Sequence, residues 1–214
     1  MKNIALYYTA IAILLCGLST LSATGCNRRD TTKKPVAETT EAAINEYSHE
    51  SLLGEVLQQI QDSPKNSQAY YHLADLYERQ GRYQQAIEAY QQVIRLDPDK
   101  EYTYFKLGTA YSRLDQPEKA VDVLLEAAKR LPNNPIVMNN LAIVYGKLGK
   151  LDEEVVALQK ALELRPKYAS ARFNLAITLI KKNDLDGARA QYEVLNKIDR
   201  TMAQELKKRI DRVQ

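Results

Sequence analysis

The side chains able to do chemistry are few. The 214 residues hold two cysteines, Cys16 and Cys26, and two histidines, His49 and His72. Both thiols lie near the N-terminus, so the long remainder of the chain has neither a disulfide nor a nucleophilic sulfur. The histidines are far apart, belong to no H-E-x-x-H arrangement and have no cysteine beside them, which argues against a zinc site. Carboxylates pair at Glu153-Glu154 and at Asp184/Asp186. Both pairs fall at turns or helix starts, where a carboxylate favours the helix dipole without any catalytic role. There is no G-x-S-x-G, no phosphate-binding loop and no G-x-G-x-x-G. The residues carry no enzyme signature, imply neither cofactor nor metal, and leave binding as the function class.

The elements that would position a binding surface are marked by Pro64, Pro98, Pro132 and Pro166, each 34 residues after the last. Proline cannot continue a helix, so it punctuates the chain at a constant phase. Aligned on it, an early large column reads Tyr70, Tyr104, Met138 and Arg172. A leucine column follows (Leu73, Leu107, Leu141, Leu175), then a small one (Ala74, Gly108, Ala142, Ala176), then Tyr77, Tyr111, Tyr145 and Leu179. These positions share one face of an α-helix. The turn column, Gly81, Asp115, Gly149 and Asn183, holds residue types that tolerate left-handed backbone. A second amphipathic segment carries Ala86, Ala120, Glu154 and Ala188, then Tyr90, Leu124, Leu158 and Tyr192, then Val93, Ala127, Ala161 and Leu195.

This helix–turn–helix unit resembles the tetratricopeptide repeat, W-x2-L-G-x2-Y…A-x3-F…P. Four units match in register, at 67–100, 101–134, 135–168 and 169–202. The departures are Glu154 in the third and Arg172, Leu179 and Arg200 in the fourth. The resemblance implies an all-α fold, a right-handed superhelical solenoid of antiparallel helix pairs with an N-terminal half-repeat helix and a C-terminal capping helix. It also implies that the first helix of each repeat lines a concave groove. The residues at those positions are Tyr71, Asp75, Arg79, Tyr102, Phe105, Arg113, Ile136, Asn139, Ile143, Lys147, Phe173, Ile177, Ile180 and Lys181, with Asn140 and Asn174 beside them. The two asparagines match residues that contact peptide backbone in some family members. A clamp for a C-terminal carboxylate is incomplete, because only Lys106 and Asn140 keep a suitable donor. The apolar members of the groove would instead make it an interaction site for a peptide or helical segment. The tether, the N-terminal helix or a second copy of the chain are the rival occupants.

Composition sets the remaining bounds. The formal charge of +3 is too small to predict nucleic-acid binding, and no basic stripe stands out. Residues 1–25 read as an export signal or anchor: Lys2, an uncharged apolar run from Ile4 to Leu18, then small residues. The sequence Ser22-Ala23-Thr24-Gly25-Cys26 resembles a bacterial lipobox, with Ala23 where leucine is preferred. That resemblance implies lipidation at Cys26 and a cut before it. An uncleaved anchor and ordinary secretion are the alternatives. All place the repeats in the bacterial cell envelope on the non-cytoplasmic side if the N-terminus stays inside. Residues 26–42 are expected to be a polar tether, residues 43–66 a helix packing on the array, and residues 203–214 a capping helix, the stretch 201–213 carrying Met202, Leu206, Ile210 and Val213 on one apolar face. The function expected from all this is a non-enzymatic, membrane-tethered protein–protein interaction adaptor resembling bacterial tetratricopeptide lipoproteins. The alternative is an assembly chaperone that shields an envelope subunit, of the pilus or secretin type, transiently.

Overall fold

The computed structural model describes residues 51–213. Cys16, Cys26, His49, the tether and the start of the N-terminal helix lie outside them. The described residues form ten helices packed as consecutive pairs. Helix α1 covers 51–62. The four pairs are α2 (Ser67–Arg79) with α3 (Tyr83–Leu96), α4 (Glu101–Arg113) with α5 (Pro117–Arg130), α6 (Pro135–Lys147) with α7 (Leu151–Leu164), and α8 (Ala169–Lys181) with α9 (Leu185–Ile198). Helix α10 (Arg200–Asp211) closes the array against α8 and α9.

Local chemistry explains the boundaries. The turn column ends every first helix with positive φ: 72° at Gly81, 55° at Asp115, 71° at Gly149 and 62° at Asn183. Glycine adopts that geometry without strain, and Asp and Asn tolerate it better than other side chains. Asn66 caps α2 by accepting from the amides of Gln68 and Ala69, and Asn134 caps α6 in the same way, with Pro135 in the first turn. Asp184 caps α9 through the Gly187 amide. The other carboxylates of the two acidic pairs also fall in first turns.

The small columns set the packing distance. Ala74, Ala142 and Ala176 are fully buried, as are Ala86, Ala120 and Ala188 opposite them. Gly108 is the tightest case: a Cβ there would lie 2.6 Å from Leu124 Cγ, so only glycine admits that leucine. Tyr90, Leu124, Leu158 and Leu195 are then enclosed, each such side chain contributing about 1.5–3 kcal/mol through burial. Arg172, which breaks the early aromatic column, does the work of the tyrosine it replaces. Its Nη2 donates to the Pro166 carbonyl at 2.8 Å, and Tyr104 Oη donates to the equivalent Pro98 carbonyl at 3.1 Å.

Helix α1 packs on the first repeat through Val56, with Leu53 and Ile60 half-buried beside it. At the other end, Arg200 stands where earlier repeats have proline. Asp199 alone separates α9 from α10, capping the latter through the Met202 amide. The capping helix therefore starts inside the stretch assigned to the fourth repeat. Its Leu206 and Ile210 are buried as expected, but Val213 lies beyond the helix and is 51% exposed.

Candidate binding groove

The first helices α2, α4, α6 and α8 present one common face, and the sequence-predicted groove residues divide on it. Tyr102, Ile136 and Ile143 are exposed, at 43%, 36% and 40%. Tyr71, Asp75, Asn140, Phe173, Asn174, Ile177 and Ile180 are half-buried, and Arg79, Arg113, Lys147 and Lys181 are exposed. Phe105 is only 7% exposed and packs in the core, yet it also lines the groove pocket, with the Tyr102 ring 5.1 Å away. Asn139 is buried too and accepts from Asn174 Nδ2 at 3.2 Å. The column of Tyr71, Phe105, Asn139 and Phe173 is thus more buried than the groove reading expects, Phe105 and Asn139 most of all. The next residue in each later helix (Lys106, Asn140, Asn174) also faces the groove.

A pocket of about 470 Å³ spans α2, α4 and α6. Tyr102, Thr109, Ile143 and Asn140 form its walls, and Arg113 and Lys147 stand at its edge. Asn140 Nδ2 already donates to the Ile136 carbonyl at 2.8 Å. Lys147 Nζ donates to the Ser112 carbonyl at 2.6 Å and lies 3.3 Å from Asp115. An amphipathic segment could lay apolar side chains between Tyr102, Ile136 and Ile143 while its backbone meets Asn140.

Between the first two repeats the same face is closed by charge. Lys106 Nζ lies 3.1 Å from Asp75 and 3.0 Å from Glu78, Arg79 lies 2.8 Å from Asp75, and Tyr90 Oη donates to Glu78 Oε2 at 2.7 Å. Burial pushes the Asp75 carboxyl up, but hydrogen bonds and charge from Lys106 and Arg79 outweigh it and hold the group below its ordinary 3.8. Burial likewise pushes Lys106 down, and Glu78 and Asp75 outweigh it, leaving the ammonium above its ordinary 10.5. Burial next to Glu78 carries the Tyr90 phenol far above its usual range. Two of the three N–H donors of Lys106 are therefore held internally, and its charge is balanced by two acids before any ligand carboxylate arrives. What the columns did not give is the pairing of Lys106 with Asp75 and Glu78. Lys106 lies 31 and 28 residues after those acids, short of the 34-residue period, so no shared column links them.

Between the third and fourth repeats the face is open. A pocket of about 290 Å³ is lined by Ile143, Gly146, Lys147, Glu154, Asn174, Ile177 and Lys181. Glu154, the expected anomaly of its column, is 6% exposed, and its Oε2 has no hydrogen-bond partner. The carboxylate lies against Gly146, where a Cβ would sit 2.8 Å from Oε1. Among the described residues no three His, Cys, Asp or Glu side chains converge as a metal site, and no helix is long and apolar enough to cross a membrane.

The stacked pairs and their shared face define a helical repeat array. Models of the tetratricopeptide repeat match residues 58–88, 105–166 and 147–210, and one described as TPR repeat matches 79–115. The chain is a tetratricopeptide-repeat protein, with overlapping matches running from residue 58 to residue 210. No curated protein matches it. Among solved structures it is similar to MamA 41-end from Desulfovibrio magneticus RS-1, at 19% identity and a TM-score of 0.69, covering 77% of this chain and 93% of that one. It is similar to YrrB, described as a TPR protein with an unusual peptide-binding site, at 22% identity and TM-score 0.67, covering 79% and 88%. It is also similar to PilW, described as a widely conserved type IV pilus biogenesis factor, at 18% identity and TM-score 0.68, covering 82% and 83%. At these identities the likeness establishes the fold. Tetratricopeptide scaffolds bind protein partners and are typically non-enzymatic, and no catalytic family is evident among the matches.

Proposed function

We propose that this protein is a non-enzymatic adaptor held at a bacterial membrane on the non-cytoplasmic side by lipid on Cys26, with the groove receiving a peptide or helical segment of an envelope protein. The observation that carries the binding half is exposed Tyr102 and Ile143 lining the 470 Å³ pocket, with Ile136 exposed on the same helix as Ile143. Exposed apolar side chains rimmed by charge are what a protein ligand covers. The tethering half rests on the sequence around Cys26, which lies outside the described residues.

Affinity capture from detergent-extracted membranes, comparing the wild type with Tyr102→Ala, tests the reading. One complex recovered in fixed stoichiometry by the wild type and lost in the variant supports the adaptor. Weak recovery of an unassembled subunit would favour the chaperone. Equal capture by a folded Tyr102→Ala would move the site off the groove.

A further inference from the structure

We propose that the pocket between the third and fourth repeats is a receptor for a lysine side chain, with Glu154 as its counter-ion. The proposal rests on the groove being the binding face and names the chemistry of its ligand. Two observations carry it. The first is Glu154 itself: more than nine-tenths buried, with Oε2 unpartnered, at the wall of an open pocket. A buried carboxylate oxygen without a hydrogen bond is an incomplete arrangement, and a cationic donor is what completes it best.

The second is an internal comparison. Two 34-residue periods separate the two junctions, so their slots correspond residue by residue. In the first, Glu78 of α2 accepts from Tyr90 of α3, and Lys106 of the next repeat delivers its ammonium to that carboxylate at 3.0 Å. In the second, the acid has changed helices. Gly146 occupies the place of Glu78, Glu154 the place of Ala86, and the carboxylate reaches the same region over the glycine. The lysine is absent: Asn174 occupies the place of Lys106 and is turned to Asn139. The chain thus shows what fits this slot, and in the second junction it does not supply it.

The surroundings suit a lysine stem. Ile143 and Ile177 flank the pocket, so the methylenes would pack on apolar wall while the ammonium reaches Glu154. The pocket's own lysines do not neutralise the acid. Lys147 is held by the Ser112 carbonyl and Asp115, and neither Lys147 nor Lys181 forms an ion pair with Glu154 in the structure.

The test selects binders to the full-length chain from a phage-displayed library of random peptides. The peptides are then measured as free synthetic ligands, N-acetylated and C-amidated, against the wild type, Tyr102→Ala, Glu154→Gln and Asn174→Lys. The expected result is groove binders with one required lysine. Acetylating that lysine, or Glu154→Gln in a protein of unchanged helicity, should weaken binding about tenfold or more, as for a lost charge-assisted hydrogen bond. Asn174→Lys should rebuild the first junction's ion pair, raising the thermal midpoint and excluding the same peptides. Peptides that need Tyr102 but ignore both lysine acetylation and Glu154→Gln would overturn the lysine receptor and leave the groove standing. An Asn174→Lys protein with no rise in midpoint would show that an ammonium does not fit the slot and would also overturn it. Binders indifferent to Tyr102, or no binders at all, would overturn the groove reading and this proposal with it.

Discussion

Removing the Glu154 carboxylate should stabilise the protein, and the structure allows the size of the effect to be worked through. In Glu154→Ala an unsatisfied buried acceptor disappears, which relieves about 1–3 kcal/mol. Alanine adds a few tenths of a kcal/mol through helix propensity, roughly 0.3. Against this, one buried methylene is lost at about 0.8 kcal/mol. A carboxylate in the first turn of α7 is also lost, at about 0.3–1 kcal/mol. The balance is a gain of about 1 kcal/mol, or ~2–4 °C in thermal midpoint for an array of this length. Gly146 supplies the control. In the wild type, Gly146→Ala places a Cβ within 3 Å of all three carboxyl atoms of Glu154, so the acid must shift and the substitution should destabilise by about 1 kcal/mol. In the Glu154→Ala background that obstruction is gone, and the same substitution should gain up to about 1 kcal/mol by replacing a helical glycine. The cycle should therefore show coupling of about 2 kcal/mol. Thermal and urea unfolding followed by circular dichroism at 222 nm measure all four proteins. A lower midpoint for Glu154→Ala, or additive effects of the two substitutions, would refute the reasoning.

The ion cluster of the first junction should tune stability at both ends of the pH scale. Asp75 has a depressed folded pKa, so its contribution is present above pH 3.8 and fades as the pH falls through the lower folded value; urea midpoints should drop there, and less steeply in Asp75→Asn. Lys106 has a raised folded pKa, so its contribution is present below pH 10.5 and is lost as the pH rises through the higher folded value, a limb that Lys106→Met should remove while costing about 2 kcal/mol at neutral pH. Tyr102→Ala should abolish partner capture with little loss of stability, whereas Phe105→Ala should cost about 3–5 kcal/mol because that ring is core; equal unfolding midpoints for the two variants would contradict this division. Intact-mass measurement on membrane-extracted protein should find a lipid-modified Cys26 as the first residue, and retention of Met1 would defeat the lipoprotein reading.

The fold was legible because its signals are local and repeated. A fixed proline phase, a small column and a left-handed turn column each recur four times, and any one unit could drift without hiding the rest. Arg172 illustrates the tolerance: it broke the aromatic column yet holds the same carbonyl that a tyrosine holds elsewhere. The groove was less legible. Whether a helical position faces the groove or the next repeat depends on how the pairs rotate against each other, which no single period encodes. Asn139 therefore landed in the packing and Phe105 largely in the core, while Lys106, the residue after Phe105, lines the groove pocket. Charge was harder still. Lys106 read as a free donor because the carboxylates that hold it lie 28 and 31 residues earlier in the chain.

The two junctions also divide the work of the array. Stability in a solenoid is carried by each unit and its interface with the next. The first interface is saturated: its lysine, acids and tyrosine satisfy one another. The third interface is built from the same positions but carries an orphan oxygen over a glycine, with two isoleucines beside it facing the groove. As structure alone that arrangement is worse than either the ion pair found at the first junction or the alanine found in the other three repeats. Proteins commonly keep such local deficits where a ligand makes up the difference, because a site already satisfied internally has nothing left to offer a partner. The stabilising substitutions at Glu154 and Asn174 are therefore the ones that should silence binding. A variant that gained stability there and kept its full affinity would separate the two effects and leave the orphan carboxylate without a purpose.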